Sequence, residues 1–159
     1  MKKRLVLSLG SNLGNRYAHI KQCIYLLHNK FGTEIIEANY YETPPWGEEN
    51  QSKFINTAAY LETSLTIEQC LAITQSIELE MGKQKIMKWG PRKIDIDILF
   101  YGNETISLPD LQVPHPHLHN RAFVLVPTLD LLPKMKHPTT GIYLNNYLQK
   151  VENDCTLFA

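Results

Sequence analysis

Between Ile94 and Ile98 the chain alternates isoleucine with aspartate, and this period of two constrains the fold more than any other feature. Successive side chains of a strand point to opposite faces, so Ile94, Ile96 and Ile98 share one face and Asp95 and Asp97 the other. The chain must therefore build a sheet with one face packed into a core. The two carboxylates stand on the other face, roughly 6 to 7 Å apart along the strand. One reading is a half-exposed antiparallel strand with solvated acids. The other is a cation site: like charges this close disfavour each other unless a cation lies between them, and oxygen-only ligands suit a hard ion such as Mg²⁺. The preceding run Trp89-Gly90-Pro91-Arg92-Lys93 favours the second, because a basic loop opens the strand beside the acids.

The rest of the chain supplies partners for that strand. Leu5 to Leu9 is an apolar strand, followed by turn and capping residues from Gly10 to Asn15. Tyr17, Ile20, Ile24, Leu27 and Phe31 recur at helical spacing and Gly32 stands ready to end the helix. Ile35 to Tyr41 reads as a second strand, halted by Thr43-Pro44-Pro45-Trp46-Gly47, and residues 44 to 52 as an exposed loop. Phe54 to Glu62 is a third strand, with Phe54, Asn56, Ala58 and Tyr60 on one face. Thr66 and Gln69 form a capping box that starts a second helix, and Gly82 can end it. Lys83 to Pro91 is a basic loop, residues 93 to 101 are the fourth strand, and Gly102-Asn103 is a turn. The order β-α-β-β-α-β predicts an α+β sandwich of ferredoxin-like type with a C-terminal extension, in which Ala122 to Leu132 is helical despite Pro127.

At 159 residues the chain is expected to form one domain, 1–159, with a core that needs no disulfide or metal staple. Sixteen Lys and Arg balance sixteen Asp and Glu, so no net field recruits nucleic acid or an anionic membrane. Cys23, Cys70 and Cys155 are odd in number and lack C-x-x-C spacing, which fits reduced thiols in the cytoplasm. The basic start breaks at Ser8 and Gly10, too soon for a signal-peptide core, and no apolar run reaches membrane-spanning length.

Lys83, Lys85, Lys88, Arg92, His115 and Arg121 can converge on a polyanion over the acid-bearing strand, an arrangement suited to phosphoryl transfer. No Walker A sequence is present. His115, His117 and His119 alternate and offer zinc ligation as a rival, weakened by Pro116 and by the lack of a second nitrogen-sulfur cluster. An RNA-binding module shares the element order, but acids stand on strand four where aromatics would be needed.

Five blocks in order carry a resemblance: Gly10-Ser11-Asn12-Leu13; Tyr41 to Gly47; Phe54-Ile55-Asn56; Trp89 to Asp97; and Val113-Pro114-His115-Pro116 with Asn120-Arg121-Ala122-Phe123. Together they resemble the 6-hydroxymethyl-7,8-dihydropterin pyrophosphokinase family of folate biosynthesis, over nearly the whole chain. The resemblance implies transfer of pyrophosphate from ATP to the hydroxymethyl group of a reduced pterin, releasing AMP, with two Mg²⁺ ions on Asp95 and Asp97. It implies catalytic roles for Arg92, Asp95, Asp97, Lys83 and Lys85, and pterin contacts from Thr43, Pro44, Pro45, Trp46, Phe54, Asn56 and Phe123. It implies ATP contacts from Gln75, Glu78, Trp89, Arg92, Ile98, Gln112, His115 and Arg121. Lys83 and Lys85 stand where arginines are common, and lysine lacks their two-pronged phosphate geometry. The chain is expected to act as a cytoplasmic monomer, with a neighbouring folate-pathway enzyme as a candidate partner and no nucleic acid or membrane.

Overall fold

A computed structural model describes residues 1–44, 52–82 and 92–159. The first strand, β1 (Lys3–Ser11), runs up the middle of the sheet and is followed by α1 (Arg16–Phe31). Asn15 caps that helix by accepting a bond from the Ala18 N–H at 3.1 Å, and Gly32 closes it at φ 67°, a left-handed turn where glycine has no Cβ to clash. The segment expected as one strand from Ile35 to Tyr41 is two short ones, β2 (Ile36–Glu37) and β3 (Tyr41–Thr43). The interruption has a local cause. The Thr57 hydroxyl donates to the Ala38 and Asn39 carbonyls at 3.3 and 2.9 Å, replacing a regular ladder there.

Both β2 and β3 pair with β4 (Phe54–Thr63), which pairs along its length with β1. The second helix, α2 (Ile67–Glu80), opens with the expected capping box: the Gln69 N–H donates to Thr66 Oγ1 at 3.2 Å and the Thr66 N–H to Gln69 Oε1 at 2.9 Å. The acid-bearing strand β5 (Asp95–Tyr101) starts two residues later than expected and pairs antiparallel with β1. Three elements of the C-terminal part are not legible as pattern: the hairpin β6 (Ile106–Leu108) and β7 (Leu111–Val113), and the edge strand β8 (Thr156–Leu157) on β3. The helix α3 (Ala122–Leu131) contains Pro127 as expected, and a short α4 (Leu144–Leu148) packs beside it. The main sheet has the order β5-β1-β4-β3-β8 with every pair antiparallel, which is the ferredoxin-like arrangement with an added edge strand.

Two hydrophobic clusters lie on opposite faces of this sheet. Leu5, Leu7 and Leu9 of β1, Ile55, Ala59 and Leu61 of β4, and Ile96 and Ile98 of β5 pack with Ile20, Cys23 and Leu27 of α1 and Cys70 and Ile77 of α2. Each fully buried leucine or isoleucine contributes about 1.5–3 kcal/mol. On the other face Val6 and Phe100 meet Leu125 and Val124 of α3 and Leu144 of α4, with Tyr60 packed against them. The register of β1 on β5 shifts between Val6 and Leu7, which face Phe100 and Ile98, leaving Leu99 as a bulge. That extra residue reverses the parity, so Tyr101 rejoins the α1–α2 side although it is odd-numbered like the two aspartates. Cys23, Cys70 and Cys155 are free thiols, and burial pushes the Cys23 thiol up. No helix among the described residues is long and apolar enough to cross a membrane.

Candidate active site

The site lies on the sheet face that α3 and α4 leave open. Along that face β1 presents Val6, Ser8 and Gly10 in turn, and past the Leu99 bulge the strands beside it keep an unbroken register from Leu7 to Gly10. Asp97, Ser8 and Ala58 form one row, and Asp95, Gly10, Asn56 and Tyr41 the next. Asp95 and Asp97 do share a face, as the alternation requires, and both are half-buried while Ile96 between them is buried.

Small residues in the middle of each row keep its floor low. A Cβ on Gly10 would stand 2.5 Å from Asn56 Oδ1 and 3.4 Å from Phe54 Cδ1, so only glycine lets the amide lie across β1. The Asn56 amide is fixed from its other side, where Nδ2 donates to Thr43 Oγ1 at 2.7 Å. Asn56 and Thr43 are both buried and Phe54 is half-buried beside them, so three of the residues assigned to the pterin form one polar and aromatic corner. Pro44 follows Thr43 and is exposed, whereas Pro45 and Trp46 lie outside the described residues.

The groups expected at the phosphates, His115 and Arg121, approach the acids from the C-terminal part of the chain. The His115 N–H donates to the carbonyl of the bulged Leu99 at 3.1 Å, which docks the segment after β7 onto β5. His115 Nδ1 accepts from the His117 N–H at 3.1 Å, so a neutral His115 carries its proton on Nε2. Burial, then the nearby Arg121 and His117, push His115 down to about 4, while Asp95 pulls the other way. Arg121 is likewise lowered by burial and raised by Asp97 and Asp95, so this guanidinium feels both carboxylates. It also lies over the Phe123 ring, 5.6 Å from the centroid, joining the cationic and aromatic halves of the site.

Beside these groups is a cleft of about 490 Å³ between α2, β5 and the β6–β7 hairpin. Gln75, Glu78, Asp97, Ile98, Gln112 and His115 line it, which brings together five of the eight residues assigned to ATP. Glu78 has a structural task as well. β5 is an edge strand, and the buried Glu78 Oε2 accepts its Ile96 N–H at 2.9 Å. Asp110 lines the same cleft. Arg92 is half-buried at the head of β5, while Lys83, Lys85, Lys88 and Trp89 lie outside the described residues.

The donor set suits Mg²⁺. Among the described residues no group of three or more His, Cys, Asp and Glu could hold a metal ion, so His115, His117 and His119 form no zinc site. A pair of carboxylates is what Mg²⁺ takes from a protein when substrate phosphates and water complete its shell.

A family model described as 7,8-dihydro-6-hydroxymethylpterin-pyrophosphokinase (HPPK) matches residues 6–133. The chain belongs to this family. A Bacillus subtilis HPPK, named 2-amino-4-hydroxy-6-hydroxymethyldihydropteridine pyrophosphokinase, is 38% identical over 85% of this chain and 81% of its own. The Pneumocystis carinii folic acid synthesis protein fol1 is 40% identical over 91% of this chain, which spans only 20% of that protein. The fold agrees with a crystal structure of wild-type Plasmodium falciparum HPPK-DHPS with pteroate, at a TM-score of 0.75 and 18% identity, covering 94% of this chain and 42% of that one.

Two features of the HPPK site escape pattern reading. Asn12, whose neighbours read as turn residues, makes its side-chain bonds far along the chain, to Ser52 and Arg92. The Leu99 bulge that anchors His115 is hidden in an unbroken apolar run, Ile98 to Tyr101.

Proposed function

We propose that this HPPK carries out its family's reaction with Asp95 and Asp97 holding two Mg²⁺ ions against the phosphates of ATP. The reaction transfers pyrophosphate from ATP to the hydroxymethyl group of 6-hydroxymethyl-7,8-dihydropterin. The hydroxymethyl oxygen attacks the β-phosphorus and gives up its proton to solvent, the bond from that phosphorus to the α-phosphate oxygen breaks, and AMP leaves. Mg²⁺ bound here would neutralise charge on the phosphates and polarise the phosphorus under attack.

The chain's own residues position the partners of this displacement. Asn56, held by Thr43 over Gly10, offers a fixed amide to the polar edge of the pterin, and Phe54 and Phe123 offer faces for its ring. Gln75, Ile98 and Gln112 line the nucleotide cleft, with Glu78 bracing its floor. Arg92, His115 and Arg121 supply charge and hydrogen bonds to the phosphates, joined by Lys83, Lys85 and Trp89 from the basic loop. The observation that carries this reading is the shared face of Asp95, Asp97, Gly10 and Asn56, which sets the acids one strand away from the pterin corner. We further read the chain as one domain acting as a monomer in the cytoplasm. The fused relatives support a neighbouring folate enzyme as its partner.

The test is the nucleotide product. ATP and the pterin alcohol should give AMP and the pterin diphosphate only with Mg²⁺, and formation of ADP would contradict the assignment.

A further inference from the structure

The loop after β1 places a buried asparagine between the heads of the two site-bearing strands. Asn12 is only 3% exposed. Its N–H donates to the Arg92 carbonyl at 3.0 Å, and the Arg92 N–H donates back to Asn12 Oδ1 at 2.7 Å. Its Nδ2 donates to the Ser52 carbonyl at 3.3 Å. Arg92 stands three residues before Asp95, and Ser52 two before Phe54. One side chain therefore bonds the backbone at the start of the acid-bearing strand and at the start of the pterin strand.

We infer that Asn12 is a positioning residue for the transfer, fixing the distance between the phosphate side and the pterin side of the site. This rests on the reaction assigned above. The amide is suited to the role because it presents an acceptor and a donor from one short arm. Aspartate keeps the acceptor for the Arg92 N–H but replaces the donor with an oxygen facing the Ser52 carbonyl. Alanine removes the side-chain bonds to Ser52 and Arg92 and keeps the backbone bond to the Arg92 carbonyl. A small displacement between reacting groups costs rate steeply, because the displacement needs the attacking oxygen and the phosphorus in line.

The two variants separate the two arms. Full-length Asn12→Asp and Asn12→Ala are assayed for both substrates, alongside thermal melting and amide hydrogen exchange at Arg92. Asn12→Asp should raise the pterin KM about tenfold, leave the ATP KM within about threefold and keep the Arg92 amide protected. Asn12→Ala should raise both KM values, lower kcat at least about tenfold and speed exchange at Arg92. Overturning results are Asn12→Ala kinetics within twofold of wild type, or equal losses in both variants with unchanged KM values, as simple partial unfolding would give. If wild-type protein forms no AMP, the reaction assigned above fails. The bracket is then decided by exchange alone: unchanged protection of Arg92 in Asn12→Ala would end it.

Discussion

The two faces of the central sheet are built from the same three strands and yet differ in kind. Toward α1 and α2 the face is mainly apolar, with Leu5, Leu7 and Leu9 flanked by Ile55, Ala59 and Leu61 and by Ile96 and Ile98, and with the buried Thr57 and Ser11 among its polar exceptions on these strands. The opposite face changes within two rows. It begins with Val6, Tyr60 and Phe100 under α3 and α4, passes through Ser8, Ala58 and Asp97, and reaches Gly10, Asn56 and Asp95. Side chains two apart on a strand see different surroundings because the helical cover stops, and the candidate site lies at the uncovered end. One face serves stability and the other trades packing for a candidate site, so substitutions on the two faces of β1 should separate the two properties.

The largest separation is expected at Leu7. Leu7→Ala should destabilise the fold by about 2–5 kcal/mol, because the site is wholly buried, with ATP and pterin KM values in the folded protein within about twofold of wild type. Denaturant melts with parallel kinetics check this, and an altered pterin KM would show that the two faces are coupled. Three residues along, Gly10→Ala should act in the opposite sense. The new Cβ must displace the Asn56 amide from Thr43, raising the pterin KM about tenfold while the ATP KM holds. A variant with wild-type pterin affinity would remove Asn56 from the pterin corner.

The smallest effect concerns protons on the open face. His115 titrates at about 4 in the folded chain, below its ordinary 6.5. As pH falls through about 6.5 the unfolded chain takes up this proton first, so the contribution of His115 to stability is full above that value and declines towards pH 4. ATP phosphates favour the charged ring. Near pH 5.5, ATP binding to the wild-type protein should therefore take up more protons than ATP binding to His115→Gln, read from the dependence of binding heat on buffer in each. Equal proton uptake by the two proteins would place His115 away from the phosphates.

Legibility in the sequence follows the same division. The α1–α2 face was readable because Ile94, Ile96 and Ile98, and the residues of β4, keep strict parity through a regular ladder. Parity failed at Leu99, where Leu-Phe-Tyr is apolar on both readings and gives no sign of a bulge. The hairpin β6–β7 and strand β8 are two or three residues long, too short for any period to emerge. Gln75, Glu78 and Gln112 come from family resemblance alone, since polar residues scattered from position 75 to 112 carry no local pattern, whereas His115 also reads as one of the cations that can meet a polyanion. The cleft that gathers them is made by tertiary packing. Asn12 stays hidden for a related reason: an asparagine within Gly10-Ser11-Asn12-Leu13-Gly14 reads as a turn residue, while its side chain reaches partners 40 and 80 residues away.

Asp95 and Asp97 are the proposed metal-holding pair of the open face, and their role is the central claim to test. Titration of Mn²⁺ by electron paramagnetic resonance, with a non-hydrolysable ATP analogue present, counts the ions directly. Wild-type protein should bind two per chain, and Asp97→Asn should lose at least one while melting within a few degrees of wild type and turning over at least about a hundredfold more slowly. Two ions retained by Asp97→Asn with wild-type turnover would contradict it.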